Sequence, residues 1–195
     1  MNLFKCALAG LAAAVLAVPA SAQDGGYSGA QFVKAIQDGK TDDAVKLFNA
    51  QPSLVNARDF NGLTALLAAI NNRDDQWAGY LLQQGADPNL AGPKGETPLM
   101  AASRLGLTEI AGWLLATGAK VDAENKMGET ALIIAVQNAR DANDGRVQIV
   151  KDLLDAGANP DKADSAQGYS ARDYARLKTR IPKLVQIIEA KKPKR

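Results

Sequence analysis

Apolar residues are grouped along this chain in pairs of short blocks, and polar, turn-forming residues separate each pair from the next. The first block of a pair is rich in alanine, whereas the second carries larger side chains. The alanine blocks contain Ala68, Ala69, Ala101, Ala102, Ala131 and Ala135, and the larger side chains include Trp77, Leu81, Leu82, Ile110, Leu114, Leu115, Ile149, Val150, Leu153 and Leu154. This pattern predicts pairs of short helices, with alanine allowing neighbouring helices to approach closely.

The pattern repeats along the chain. A Gly-x-Thr motif begins at Gly62, Gly95 and Gly128, and 33 residues separate each copy from the next. A degenerate copy begins at Gly168, 40 residues later. A second marker, a Leu-Leu pair followed by Gly-Ala, has its glycines at Gly85, Gly118 and Gly157. One helix pair cannot bury its apolar face alone, so the repeat predicts stacked pairs that share a continuous core.

Each pair carries start and stop signals for its helices. The threonine of Gly-x-Thr is placed to cap the first helix, and Pro98 lies in a first turn, where proline is tolerated. The glycine after the second helix is expected to form a left-handed C-terminal cap.

These motifs resemble the ankyrin repeat. Residues Gly95–Ala102 nearly match the family's Gly-x-Thr-Pro-Leu-His-x-Ala-Ala, with Met100 in the histidine place. Segments 109–120 and 148–159 nearly match its Glu-Ile-Val-x-x-Leu-Leu-x-x-Gly-Ala-Asp. The chain is identified on these residues as an exported, bacterial-type ankyrin repeat protein. The resemblance implies an all-α solenoid of helix-turn-helix units with β-hairpin loops over residues 30–190.

The two ends of the repeat region are expected to be caps, which makes about five units, three of them full. The first unit begins near Phe32 and ends near Asp59, with charged residues placed for solvent. The last begins at Ser170 and ends with Ile187 and Ile188. The basic tail, residues 191–195, is expected to be disordered.

Residues 1–22 have the order of a secretory signal peptide. Lys5 lies in a short positive head, an apolar core runs from Ala7 to Val18, and small residues end the segment at Ala22. The core is too short to span a membrane. We therefore expect cleavage after Ala22 and a periplasmic or secreted protein, with residues 23–29 as a glycine-containing linker.

Loss of this segment limits the available chemistry. Cys6 is the only cysteine, and the sequence contains no histidine. Nucleophiles that need cysteine or a histidine base, and metal sites built from these residues, are therefore excluded. Without Lys5 the net charge falls from +2 to +1, which does not suggest nucleic acid. We predict no enzyme and no cofactor, with a carboxylate-based hydrolase as a remote alternative.

The fourth unit is longer than the others. From Gly118 to Gly157 is 39 residues, against 33 from Gly85 to Gly118, so six extra residues precede the second helix. They lie in or beside Ala139–Arg146, and a contact with a partner would involve Arg140–Arg146. One interpretation is a tolerated surface insertion, and the other is contact with a partner.

The resemblance also implies which residues face a partner, namely the hairpin tips and the exposed side of the first helices. The corresponding tip residues are Phe60, Asn61, Leu63, Lys94, Glu96, Lys126, Met127, Glu129 and Tyr169, and the helix residues are Asn72, Arg104, Leu105 and Asn138. Some apolar members could instead pack between adjacent fingers, and Trp77 and Trp113 are expected in the core.

The leading functional hypothesis is a monomeric, non-enzymatic module of the cell envelope that holds or stabilises a protein partner. The choice between a concave and a convex binding face stays open. The alternative is attachment to an anionic envelope surface through the basic tail, whose cations are Lys191, Lys192, Lys194 and Arg195.

Overall fold

The computed structural model describes residues 25–191, with side chains from residue 28 onward. Within this range the chain forms ten α-helices: α1 (Gly25–Gln37), α2 (Thr41–Ala50), α3 (Ala65–Asn71), α4 (Asp75–Gln83), α5 (Pro98–Leu105), α6 (Thr108–Ala116), α7 (Ala131–Asn138), α8 (Gly145–Asp155), α9 (Ala171–Leu177) and α10 (Pro182–Glu189). Two short 3-10 segments, Pro52–Asn56 and Pro93–Gly95, lie in the connections. The helices form five consecutive pairs, as the sequence predicts.

The pairs stack as two rows of helices. Helices α1, α3, α5, α7 and α9 pack successively against one another, and α4, α6 and α8 form the second row with α10 at its end. Most alanines of the first row are fully buried, among them Ala68, Ala69, Ala101 and Ala102. This confirms the all-α repeat solenoid, and it explains the alanine blocks, because small side chains bring the helices of the first row close together.

The predicted caps are present at every first helix from α3 onward. The capping hydroxyl accepts a hydrogen bond from the third backbone N–H of the helix in each case: Thr64 from Leu67 at 3.2 Å, Thr97 from Met100 at 3.3 Å, Thr130 from Ile133 at 3.3 Å and Ser170 from Asp173 at 3.3 Å. The glycines that follow α4, α6 and α8 have φ of 86°, 92° and 92°, the left-handed region in which glycine carries no Cβ penalty.

The hairpin fingers contain little extended structure. Over the described residues the structure has two isolated antiparallel bridges, Arg58 with Thr64 and Ala163 with Ser170, and no longer strand. The fingers are therefore tight turns, each closed by one backbone hydrogen bond, for example from the N–H of Asp59 to the carbonyl of Leu63 at 2.9 Å and from the N–H of Asn125 to the carbonyl of Glu129 at 3.1 Å.

The first helix begins earlier than expected. Residues 25–29 belong to α1, so the prediction of a linker up to residue 29 is wrong for this part. Gly29 is buried, and a Cβ placed on it would lie 3.3 Å from the Cβ of Ala57. We attribute the additional turns to this contact between helix and first finger, which overrides the low helix propensity of glycine.

The two tryptophans differ in burial. Trp77 is buried and its ring meets that of Phe32 edge-on, with 6.0 Å between ring centroids, as predicted. Trp113 is only half-buried and packs over Gly79, so its prediction as a core residue is correct only for part of the ring. None of the helices within residues 25–191 is long and apolar enough to cross a membrane. The segment 1–22 and residues 192–195 lie outside the described residues.

Candidate functional site

Three of the four fingers are held by a polar side chain at the base, and the second is held by the backbone N–H of Gly92, which donates to the carbonyl of Glu96 at 2.9 Å. Asp59 accepts hydrogen bonds from the backbone N–H of Asn61 at 2.9 Å and of Leu63 at 2.8 Å. Asn125 accepts from Met127 at 2.8 Å and Glu129 at 3.0 Å. Such bonds fix a turn without help from a strand ladder. The fingers are therefore rigid supports for the residues at their tips.

Neighbouring fingers are also joined to one another. The backbone N–H of Lys126 donates to the carbonyl of Lys94 at 3.0 Å, and that of Ser165 donates to the carbonyl of Met127 at 2.8 Å. The Arg58 guanidinium links the first finger to the second, because one nitrogen donates to the carbonyls of Gly62 and Ala91 at 2.7 Å each. The tips consequently form one continuous edge rather than separate loops.

The apolar members of the predicted partner residues divide into two groups. Phe60, Met127 and Tyr169 are exposed, at 80%, 49% and 43% of their surface. Leu63 and Leu105 are half-buried and pack against the core, as the alternative interpretation allowed. Asn61, Lys94 and Lys126 are exposed beside the three apolar tips.

The remaining predicted partner residues have bonds within the chain. Arg104 donates to the Glu96 carboxylate at 2.9 Å and to the Asn71 side-chain oxygen at 3.0 Å. Asn72 donates to the last carbonyls of α1, those of Ile36 at 2.8 Å and Gln37 at 3.0 Å. The Glu129 carboxylate accepts from Asn125 at 2.7 Å, and Asn138 donates to the carbonyl of Ile134 at 2.8 Å. These side chains contribute to the scaffold and leave Phe60 and Met127 as exposed apolar tip residues, together with Tyr169, whose ring packs edge-on against that of Tyr174 with 5.6 Å between ring centroids.

The insertion of the fourth unit is partly a buried structural element. Arg146 is buried, and its guanidinium pairs with both oxygens of Asp144 at 3.0 Å and donates to the carbonyl of Arg104 at 2.6 Å and 3.0 Å. The interpretation as a plain surface insertion is therefore wrong for Arg146 and Ala139, because both are buried. Residues 140–143 remain exposed.

The hydrogen bonds that Asp144 accepts favour its ionised form. Burial of the carboxylate acts to raise its pKa, but hydrogen bonds from the backbone N–H groups of Arg146 and Arg140 and from the Arg146 guanidinium outweigh it. The pKa of Asp144 therefore lies below its ordinary value of 3.8. The same carboxylate caps α8 by accepting from the backbone N–H of Arg146 at 3.0 Å.

The last finger contains a second structural carboxylate. Burial acts to raise the pKa of Asp164, but the Tyr174 hydroxyl and the backbone N–H groups of Gln167, Gly168 and Ala166 all donate to it and lower the pKa below 3.8. Asp164 and Asp59 thus both occupy turns, where their carboxylates accept hydrogen bonds from backbone N–H groups. Within residues 25–191 no three carboxylates or other metal-binding side chains form a group that could hold a metal ion.

Sequence reasoning missed a groove at the end of the stack, formed where the insertion meets the α9–α10 connection. The groove has a volume of about 590 Å³, and its lining includes Arg140, Tyr174, Leu177, Lys178 and Arg180. Leu177 is 64% exposed, although it belongs to the terminal unit. In the sequence, the groove is indicated only by Leu177, which Lys178 and Arg180 follow closely in the unit after the one with the insertion.

The comparison with protein families decides the identity of the repeat. A family model described as ankyrin repeats in three copies matches residues 32–125 and, in overlap, residues 78–164, which together make up more than half of the chain. The chain belongs to the ankyrin repeat family. Ankyrin repeat domains are generally non-catalytic protein–protein interaction modules, and this ankyrin repeat chain is accordingly an interaction module for a protein partner. No curated protein sequence matches it.

Of the basic tail, Lys191 lies within the described residues. Its ammonium group pairs with Asp155 at 2.9 Å, and its carbonyl accepts from Arg172 at 3.2 Å. Both bonds tie the end of α10 to the ankyrin stack. Lys192, Lys194 and Arg195 lie outside the described residues.

Proposed function

We propose that this ankyrin repeat chain is exported to the cell envelope, where it holds a protein partner on its edge of finger tips as a monomeric, non-enzymatic module. The observation that carries the proposal is the exposure of Phe60, Met127 and Tyr169 on rigid, mutually bonded fingers. The signal-peptide pattern of residues 1–22 supports the export.

The three tip residues fit the centre of an interface. Burying one such side chain fully against a partner contributes about 1.5–3 kcal/mol, and aromatic anchors dominate many interfaces. The exposed Asn61, Lys94 and Lys126 around them supply a polar rim. Because turn bonds already fix the fingers, binding costs little ordering entropy at the tips.

Photo-cross-linking in the native envelope tests the proposal. A photoreactive residue is placed at Phe60, Lys94, Lys126 or Tyr169, and the attached molecules are identified by mass spectrometry. We expect one dominant protein. A diffuse set of lipids and abundant proteins from every position would contradict the proposed function.

A matched pair of variants locates the binding face. The triple variant F60S/M127S/Y169S should lower capture of the cross-linked protein at least tenfold with an unchanged helical circular dichroism signal, because about 1.4 kcal/mol lost at the anchors corresponds to tenfold. The control is Val45→Ser, at an exposed apolar residue that lies in α2 and in none of the fingers. Equal loss in the control, or unchanged capture by the triple variant, would show that the tips are not the binding face.

Export is tested separately, by the mass of the mature protein. The mass of the protein recovered from the envelope should correspond to a chain that begins at Gln23. Recovery of a chain that still contains residues 1–22 in the cytoplasm would refute export and leave the interaction surface as it is.

A further inference from the structure

We infer that the groove between the insertion and the last ankyrin unit is a second docking surface, which binds an acidic segment of a protein partner through cations around an apolar anchor. The inference rests on the proposed function only in taking the ligand to be part of a protein. It concerns a different surface, whose lining includes none of the finger-tip residues, although the ring of Tyr169 packs against that of Tyr174 in the groove.

The groove carries charge of one sign. Arg140, Lys178 and Arg180 line it, and no carboxylate does so within the described part of the chain. The guanidinium groups of Arg140 and Arg180 are exposed, and neither forms an ion pair or a side-chain hydrogen bond over residues 25–191. By contrast, Arg58, Arg104, Arg146 and Arg172 each bond acceptors within the chain. Two guanidiniums without partners beside one groove complement carboxylates supplied by another molecule.

The apolar part of the groove is unusual for a terminal unit. End units of a repeat stack normally present a polar surface to solvent. Here Leu177, at the end of α9, is 64% exposed, and Tyr174, one turn earlier on the same helix face, lines the groove beside it. An exposed leucine in a concave site supplies the apolar contact that phosphate groups alone would not use.

The walls of the groove are held in place before any ligand binds. Lys178 donates to the carbonyl of Ala139 at 2.9 Å, and Lys183 donates to the carbonyl of Ala142 at 3.3 Å. These two bonds join the last unit to the insertion, and the Arg146 guanidinium joins the insertion to the preceding unit by donating to the carbonyl of Arg104. Ala139 and Arg140, at the start of the insertion, thus line the groove opposite the last unit, which gives this part of the insertion a role beyond that of a tolerated loop.

An acidic peptide segment fits these features better than nucleic acid does. Nucleic-acid binders carry an extended basic face, whereas this chain has a net charge of only +2 and a local group of cations around a leucine. The proposed ligand therefore has carboxylates that flank an aliphatic or aromatic side chain.

Fluorescence anisotropy on the purified chain tests the inference. The probe is a fluorescein-labelled peptide in which glutamates flank a central Leu-Phe pair, and the matched probe has glutamine at every glutamate. We expect the acidic probe to bind and the glutamine probe to bind at least about tenfold more weakly, with the acidic probe losing affinity as salt rises from about 50 to about 200 mM. Equal binding of both probes would overturn the inference.

Variants of the groove supply the second arm. R140E/R180E should weaken binding of the acidic probe about tenfold or more, because two attractions become repulsions, and Leu177→Ser should weaken it independently of salt. These side chains have no bonds within the described chain, so an unchanged circular dichroism spectrum is expected. The charge-matched control K46E/K120E, whose residues do not line the groove, should bind as the parent does. A control that loses as much affinity would show nonspecific attraction and overturn the inference.

Two further measurements distinguish a peptide ligand from a lipid surface, and this inference from the proposed function. Vesicles of anionic phosphatidylglycerol should not compete with the acidic probe, and competition that R140E/R180E abolishes would replace the peptide with a lipid surface. The F60S/M127S variant should bind the probe normally; Tyr169 is left unchanged in it because its ring packs edge-on against Tyr174, which lines the groove, with 5.6 Å between ring centroids. Loss of probe binding with intact finger-tip cross-linking would overturn this inference alone, whereas absent finger-tip cross-linking with intact probe binding would overturn the proposed function alone.

Discussion

The buried pair of Asp144 and Arg146 offers the sharpest test of how the insertion is held. The side chains are 8% and 9% exposed, and the guanidinium also donates to the carbonyl of Arg104. Replacing Asp144 by Ala leaves a buried cation without its counter-charge and removes the cap of α8. Breaking a buried pair costs about 3–5 kcal/mol, and loss of a cap costs about 1 kcal/mol. Because the Arg104 carbonyl still solvates the guanidinium, we expect a loss of about 3 kcal/mol.

Three variants separate the charge from the cap. Asp144→Asn keeps one acceptor for the backbone N–H of Arg146, but it removes the charge and replaces by a donor the second oxygen, which accepts from the backbone N–H of Arg140 and from the Arg146 guanidinium. We therefore expect it to retain at most about 1 kcal/mol relative to Asp144→Ala. Adding Arg146→Met to either variant should recover part of the loss, because the unpaired buried cation is gone. A double-mutant cycle of Asp144→Ala, Arg146→Met and the double variant gives the coupling free energy between the two side chains.

The assay is urea denaturation followed by circular dichroism, with native-state hydrogen exchange to locate the change. In a repeat stack each unit contacts only its neighbours, so protection should fall in α5–α8 more than in α1 and α2. Losses below about 0.5 kcal/mol for both single variants would refute the argument that this pair holds the insertion. Loss of protection confined to α1 and α2 would refute it as well.

Two further predictions concern the fingers. Gly128→Ala should destabilise the protein at least about 1 kcal/mol more than Gly85→Ala in the same assay. Both positions have positive φ, but a Cβ at Gly128 would lie 2.6 Å from the backbone nitrogen of Ser165, whereas nothing lies within 4 Å of a Cβ at Gly85. Equal losses would contradict the close approach between fingers. Because the pKa of Asp164 is lowered in the folded state, its contribution to stability is present above the unfolded pKa and is lost as the pH falls below about 4. Tyr174→Phe should raise the pKa of Asp164, measured by carboxyl NMR, and should lower the free energy of unfolding by about 1 kcal/mol near neutral pH. An unchanged pKa would exclude the 2.6 Å bond between the Tyr174 hydroxyl and Asp164.

Several features of the fold follow from local chemistry and were predictable. The hydroxyls of Thr64, Thr97 and Thr130 bond backbone groups three residues away, so their capping role is written in adjacent sequence. The glycines after the second helices need a left-handed backbone for the same local reason. The 33-residue period then fixes the number of units, since each stacks on the next in the same way.

The candidate site was predictable only in part. Phe60, Met127 and Tyr169 lie at the tips, as the family resemblance implies, and they are exposed because no finger partner covers them. Leu63, which follows a repeat glycine as Tyr169 does, packs against the core instead, and so does Leu105 at the end of α5. Asn72 bonds the end of α1, 35 and 36 residues away, a pairing that sequence spacing does not reveal.

The sequence by itself determined the repeat, the capping residues, the left-handed glycines and the family, because each depends on bonds within a few residues or on a period. The tertiary structure alone decided the burial of Arg146, whose acceptor at Arg104 lies 42 residues away, and the groove at Leu177, which exists only because the insertion meets the last unit. Charge and apolarity of a residue are local properties. Burial depends on which distant segments the stack brings beside it.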